Sequence, residues 1–164
     1  MIRICIDRDF EAVLEIINDA AQAYKGIIPE DRWHDPYMAR RDLHREIEDG
    51  VVFHGYQEEG SLVGVMGMQD RGDVSLIRHA YVRGARRNRG IGTRLLRFLE
   101  STTAKPLLVG TWATAFWAIA FYEKHGYALL PPAQKDQLLK KYWSIPQRQV
   151  ATSVVLASPG RARR

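Results

Sequence analysis

Between Val74 and Leu99 the chain carries seven arginines, Arg78, Arg83, Arg86, Arg87, Arg89, Arg94 and Arg97, and neither Asp nor Glu. The densest stretch, Arg87-Asn88-Arg89-Gly90-Ile91-Gly92-Thr93, stands where a strand-like run gives way to a helical one. The free amides and the dipole at the start of a helix hold anions. Glycines at 90 and 92 remove the Cβ atoms that would keep a bulky phosphate off the backbone. That chemistry suits a pyrophosphate. Two common phosphate loops do not fit. A dinucleotide fingerprint needs a third glycine where Leu95 stands, and a Walker loop needs Lys-Ser/Thr where Thr93-Arg94 follows Gly92. His34, His44, His54, His79 and His125 show no metal-ligand spacing, so no metal is expected, and Cys5 reads as a small apolar side chain in a first strand.

The elements that must position this loop follow from periodicity. Ile2, Ile4 and Ile6 alternate as in a strand, and Asp7 or Asp9 can cap a helix. In that helix Phe10, Val13, Leu14, Ile17, Ala20, Ala21 and Tyr24 recur at helical spacing, up to Gly26. Residues 27–36, with Trp33 and His34 between two prolines, form a long aromatic connection that is a candidate ligand-facing segment. The spacing then predicts a helix over 38–49 and a meander of strands over 51–57, 62–69 and 74–82. After the arginine loop come a helix with Leu95, Leu96, Phe98 and Leu99 on its apolar side, a strand over 107–111 and a helix over 115–125. Strands over 127–130 and 151–157 close the chain, separated by Pro131-Pro132, a short helix over 134–143 and a loop around Pro146. The class is α+β, a mixed, mainly antiparallel central sheet of about seven strands with helices on both faces. One domain over 1–158 and a basic tail over 159–164 are expected.

Arg87-Asn88-Arg89-Gly90-Ile91-Gly92 matches the Arg/Gln-x-x-Gly-x-Gly/Ala signature of the GCN5-related N-acetyltransferases (GNAT), placed after a fourth strand and before a third helix. Ala118-Ile119-Ala120-Phe121-Tyr122-Glu123-Lys124-His125-Gly126-Tyr127 resembles the same family's Ala-x-x-Phe-Tyr-x-x-x-Gly-Phe/Tyr segment. With the order of elements, the resemblance extends over nearly the whole chain.

The resemblance implies transfer of an acetyl group from acetyl-CoA to a primary amine by direct attack. The amides of Arg87, Asn88, Arg89, Gly90, Ile91, Gly92 and Thr93 would cradle the cosubstrate's pyrophosphate. Ala80, Tyr81 and Val82 would pair with its pantetheine arm where the sheet splays, with Ala118 and Phe121 beside it. The amide of Val82 or a neighbour would polarise the thioester carbonyl. Tyr122 matches the family's usual general acid. For the base, which has no fixed motif, His79 is the first candidate because it lies beside the presumed thioester and titrates near neutrality, and Asp73 and His34 follow it. Strand alternation leaves the sheet face of His79 open. Two departures stand out: Ala115 occupies a position where many relatives carry a cofactor-bonding asparagine, and Gly84 stands where proline is frequent and should loosen the loop entrance. Trp33 and Trp143 are the two tryptophans expected as acceptor-pocket walls.

Of the 164 residues 46% are hydrophobic, and 24 Lys and Arg against 19 Asp and Glu leave a net charge of +5, which favours an anionic ligand without identifying one. The lone cysteine, the absence of a signal-like N-terminus and the lack of a long apolar run lead to the expectation of a cytoplasmic protein with no membrane partner. The expected partner is a small-molecule or peptide amine, with a homodimer left open by the resemblance. The alternative is a non-catalytic acyl-CoA-binding or sensing module. A nucleic-acid surface ranks last, because no recognition motif accompanies the charge.

Overall fold

The first half of the chain alternates apolar and polar residues in runs joined by short glycine turns, and these runs become a meander. The structure, a computed structural model, describes residues 1–160. Residues 161–164 of the expected basic tail lie outside the described residues. Strand β1 (Ile2–Ile4) leads to helix α1 (Phe10–Ala21) and helix α2 (Arg40–Glu48), and the meander follows as β2 (Val51–Glu58), β3 (Ser61–Asp70) and β4 (Ser75–Val82). Helix α3 (Ile91–Thr102) crosses to β5 (Leu107–Trp112), and then come α4 (Phe116–Lys124), β6 (Ala128–Leu129), α5 (Pro132–Tyr142), α6 (Gln147–Ala151) and β7 (Ser153–Ala157). All seven strands share one sheet, in the order β1-β2-β3-β4-β5-β7-β6. Only β4 and β5 are parallel, the pairing that requires a crossover such as α3.

Alternation splits the core between the two faces. Ile77, Leu107, Val109 and Leu156 pack against Leu95, Leu96 and Leu99 of α3 and Tyr122 of α4. On the opposite face, Val51, Phe53 and Val65 meet Val13, Ile16 and Ile17 of α1 and Leu43 of α2, while Leu76, Leu108 and Val155 meet Leu139 and Tyr142 of α5. The α3 leucines have no exposed surface, so each contributes about 1.5–3 kcal/mol of burial.

Several boundaries differ from the expectation. Asp9 does not cap α1: its carboxylate accepts from the Ile6 amide at 2.8 Å and from Arg3 at 2.7 and 2.8 Å, tying β1 to the turn before the helix. The Arg3 guanidinium thereby holds the Asp9 carboxyl down at about 2. Helix α5 begins at Pro132, which is tolerated in a first turn where no backbone donor is needed. The loop around Pro146 is present over 143–146, but it leads into helix α6, which takes up Ala151, expected as the first residue of the last strand; Val150 N–H bonds to Pro146 O at 3.0 Å. Cys5 is an inert thiol, pushed up to about 11 by burial.

Strand β4 is irregular in two ways that open the sheet. Pairing between β4 and β5 covers only Ser75↔Leu107, Leu76↔Leu108 and Ile77↔Val109. Beyond these, β4 stays with β3 as far as Val82 while β5 stays with β7, and the sheet parts. At the parting point β4 also bulges: Gly67 faces Arg78 and Val65 faces Tyr81, so His79 and Ala80 together oppose Met66. His79 takes up the extra length with φ +55°, a left-handed conformation rare for a histidine.

Candidate active site

The parting strands enclose a cavity of about 730 Å³, bounded by 77–82 of β4, 109–112 of β5, the first turn of α3 and one side of α4. At one end stands the arginine-glycine loop. Gly90 precedes α3 with φ +78°, and the first intrahelical bond runs from Arg94 N–H to Gly90 O at 3.0 Å. The amides of Ile91, Gly92 and Thr93 are therefore at the open end of the helix, where they have no intrahelical partner. Buried Ile91 anchors the turn, and a Cβ on Gly92 would come 3.4 Å from Phe121 Cζ, so the glycine also allows α3 and α4 their close approach. His125 ties the same two helices, with Nε2 3.1 Å from Thr93 Oγ1 and Nδ1 3.2 Å from Arg97.

Six of the seven arginines divide into two groups. Arg83 pairs with Glu15 at 2.7 Å and donates to Leu62 O, Arg94 donates to the Tyr56 hydroxyl, and Arg97 pairs with Glu100 at 2.9 Å. These three brace the scaffold. Arg78, Arg86 and Arg87 line the cavity, Arg87 also reaching Ala20 O at 3.4 Å, whereas Arg89 is exposed and lines no part of it. Gly84 does not loosen the loop entrance. Its N–H, which a proline would lack, donates to Asp19 Oδ2 at 3.1 Å and fastens the loop to α1.

At the other end of β4 the bulge settles the face of His79. Consecutive residues Arg78 and His79 both reach Glu46 of α2: Arg78 donates to Glu46 Oε1 at 2.8 Å, and His79 Nε2 lies 2.5 Å from Glu46 Oε2. The His79–Glu46 contact is close but poorly aligned for a hydrogen bond, leaving both atoms short of an ideal partner. Burial alone would raise the Glu46 carboxyl, but His79 and Arg78 outweigh it and hold the group below the ordinary glutamate range. Gln69 receives the second Arg78 donor at 3.2 Å and donates in turn to Asp49. Across the cavity Tyr122 is buried, its ring packed at 5.1 Å on Phe121 and 5.5 Å on Tyr127, and desolvation pushes its phenol far above the ordinary value.

The third region is aromatic. Tyr37, Trp112 and Trp143 line it, with Trp112 Nε1 donating to the Tyr37 hydroxyl at 3.1 Å. Burial pushes the Tyr37 phenol up to about 12. A Cβ on Gly110 would lie 3.3 Å from Trp143 Cζ2, so the missing side chain lets the indole rest on the strand. The 27–33 segment roofs this end through Thr114 Oγ1 to Ile27 O at 3.0 Å, Arg32 to Gln149 at 3.1 Å, and Arg148 to Asp31 at 3.3 Å.

Of the residues expected from sequence, His79, Ala80, Tyr81, Val82, Arg87, Asn88, Gly90, Ile91, Gly92, Thr93, Ala118, Phe121 and Tyr122 line this one cavity, and Arg89 does not. Asp73 is remote from it, bonded to the Tyr142 hydroxyl at 2.7 Å, and His34 is exposed outside the lining. Ala115 is fully buried behind it in an apolar cluster. Trp143 is a wall as expected, while Trp33 stands one layer back, stacked on Tyr37 at 5.8 Å. Glu46, Tyr24, Tyr37, Trp112, Trp117 and Gln149 were not among the expected residues. Only Tyr37 lies in a connecting segment; Tyr24 follows α1, Trp112 ends β5 and Trp117 is in α4, where each reads in sequence as a packing residue.

Residues 49–129 match the model of the Acetyltransferase (GNAT) domain. Among solved structures, the chain is similar to a PaiA N-acetyltransferase from Thermoplasma acidophilum in complex with coenzyme A, at 17% identity and a TM-score of 0.73, covering 96% of this chain and 97% of that one. It is similar to the ribosomal-protein-S18-alanine N-acetyltransferase from Escherichia coli, at 16% identity and TM-score 0.68, over 100% and 96% of the two chains. It is also similar to an aminoglycoside 6′-N-acetyltransferase complexed with coenzyme A, at 19% identity and TM-score 0.62, over 100% and 99%. At these identities the likeness is one of fold. Among curated proteins none matches the sequence.

Proposed function

Residues 49–129 are a GNAT acetyltransferase domain, in a chain that has the GNAT fold throughout, and from that premise we propose that the chain moves an acetyl group from acetyl-CoA to a primary amine. The observation that carries the reading is the parting of β4 from β5 over one cavity, with unpaired helix amides at one end and a histidine and a buried tyrosine among its walls. The residues fit the cosubstrate: Arg86, Arg87 and the α3 amides would hold the pyrophosphate, and the gap beside Ala80–Val82 would take the pantetheine. Acetyl-CoA supplies an acetyl group activated as a thioester.

His79 then accepts a proton from the acceptor ammonium, its ring held by Glu46 on one side and packed at 6.2 and 6.3 Å against Phe53 and Tyr81. Arg83 N–H bonds back to Val63 O at 2.8 Å, so by strand alternation the Val82 N–H is directed into the gap, where it stabilises charge developing on the carbonyl oxygen. Tyr122 donates its proton to the departing thiolate. The reducing setting we propose is the cytoplasm, in keeping with a single thiol. No described helix is long and apolar enough to cross a membrane.

The test is a thermal shift followed by an amine screen. Acetyl-CoA and CoA at about a hundred times their Kd should add about 2.7 kcal/mol, a rise of roughly 5–10 °C, while ATP does not. Absence of any shift overturns the cofactor site. A shift without CoA release across a broad amine panel favours the second reading, a binding module, which buried Ala115 in place of a polar residue supports.

Glu46 acts through His79 and is a positioning residue. Glu46→Gln keeps the volume and should lower kcat about tenfold with KM for acetyl-CoA unchanged, as expected when only the proton-transfer geometry is loosened. An equal rise in KM, or an unchanged kcat, would show that the pair serves the scaffold alone.

A further inference from the structure

We propose, resting on the transferase reading, that the acceptor is a small amine with a single cationic centre on an aromatic or apolar body, and not a polycation. No Asp or Glu among the described residues lines the cavity, whereas Arg78, Arg86, Arg87 and Lys124 do. Phosphates would meet Arg86 and Arg87. Arg78 is already held by Glu46 and Gln69. Glu46, which lies outside the lining, is held by Arg78 and His79. A first ammonium therefore has a place beside His79, where it loses its proton. A second would lie against aromatic rings or an arginine with no anion to pair with.

The walls select for the rest of the molecule. Tyr37, Trp112, Trp143, Ile145 and Leu139 form an apolar box with Gln149 as a polar corner. A ring against such faces gains stacking and burial. Cation–π contact would offset only part of the cost of taking a second, unpaired ammonium out of water. Beside the box, Arg32–Gln149 and Asp31–Arg148 tie segments 117 residues apart in sequence, which fixes the polar corner at Gln149. Here the chain parts from a neighbour named for aminoglycosides, which carry several ammonium groups.

Phenethylamine, spermidine, kanamycin and a short alanyl peptide would each be offered to the full chain with acetyl-CoA, following thiol release for turnover and quenching of tryptophan emission for binding. The expected kcat/KM for phenethylamine exceeds those of spermidine and kanamycin by about 30-fold, or about 2 kcal/mol. Trp143→Ala should raise KM for phenethylamine about tenfold with acetyl-CoA affinity unchanged. Ile145→Glu, which adds the missing carboxylate at a half-buried position, should narrow the gap in favour of spermidine. Equal or better binding or turnover of spermidine, kanamycin or the peptide overturns the proposal, as does failure of phenethylamine to bind. If phenethylamine binds preferentially but no amine releases thiol, the acceptor class stands and the transferase reading fails.

Discussion

Tyr122→Phe should lower kcat about 100-fold at neutral pH while leaving acetyl-CoA affinity unchanged. General acids contribute about 10²–10⁴, and the lower figure applies because a thiolate, with an ordinary thiol value near 8.5, leaves more readily than an alkoxide. Burial, with Tyr24 and Tyr127 nearby, drives the Tyr122 phenol far upward. It therefore stays protonated at neutral pH. The kcat profile of the unaltered chain should accordingly show no alkaline limb from this group. Among the described residues none takes a hydrogen bond from its hydroxyl, so removing that oxygen leaves no donor or acceptor stranded. The melting temperature should hardly move. An unchanged kcat would remove Tyr122 from the chemistry and leave it a packing residue of α4.

The second expectation concerns the same burial in bulk. The phenols of Tyr24, Tyr37, Tyr81, Tyr122 and Tyr127 are all raised above the ordinary value of 10, in each case chiefly by desolvation. A raised value means the folded state holds the proton more tightly than the unfolded chain. Its stabilising effect is complete below pH 10 and is lost as the pH climbs toward the folded values, of which that of Tyr37 is about 12. Several such groups losing the same contribution together steepen the fall, set against a whole-protein stability of about 5–15 kcal/mol. Cooperative unfolding should therefore occur within about two units above pH 10, with tyrosinate absorbance and loss of far-UV dichroism sharing one midpoint. Tyrosines ionising gradually near their ordinary value, in a chain that keeps its dichroism, would contradict it.

Much of this architecture was legible because it is written in local patterns. The meander from Val51 to Val82 shows in alternation and glycine turns, and the phosphate end of the site shows in Gly90, Gly92 and the arginines beside them. The proposed catalytic end was legible only to the level of residue names. Which face His79 occupies depends on one extra residue in β4 relative to β3, and a bulge leaves no mark in composition or periodicity. Glu46 was invisible for the same reason: it sits 33 positions away, on a helix whose charged residues read as a solvated face. The arginine run misled in the other direction. Arg83, Arg94 and Arg97 serve ion pairs and hydrogen bonds that only tertiary contacts disclose, so the positive field was smaller than the count suggested. Helix α6 escaped because its five residues are too few to show a period.

The short ladder between β4 and β5 has a mechanical side. Three residue pairs join a leaf of four strands to a leaf of three, so the sheet is hinged there rather than continuous. A ligand spanning the leaves acts as a cross-brace on that hinge, and amide exchange at 75–77 and 107–109 should slow when it is in place. For the same reason its departure should be coupled to a flexing of the leaves, so that in the proposed reaction release of the spent carrier would be a step timed by the fold.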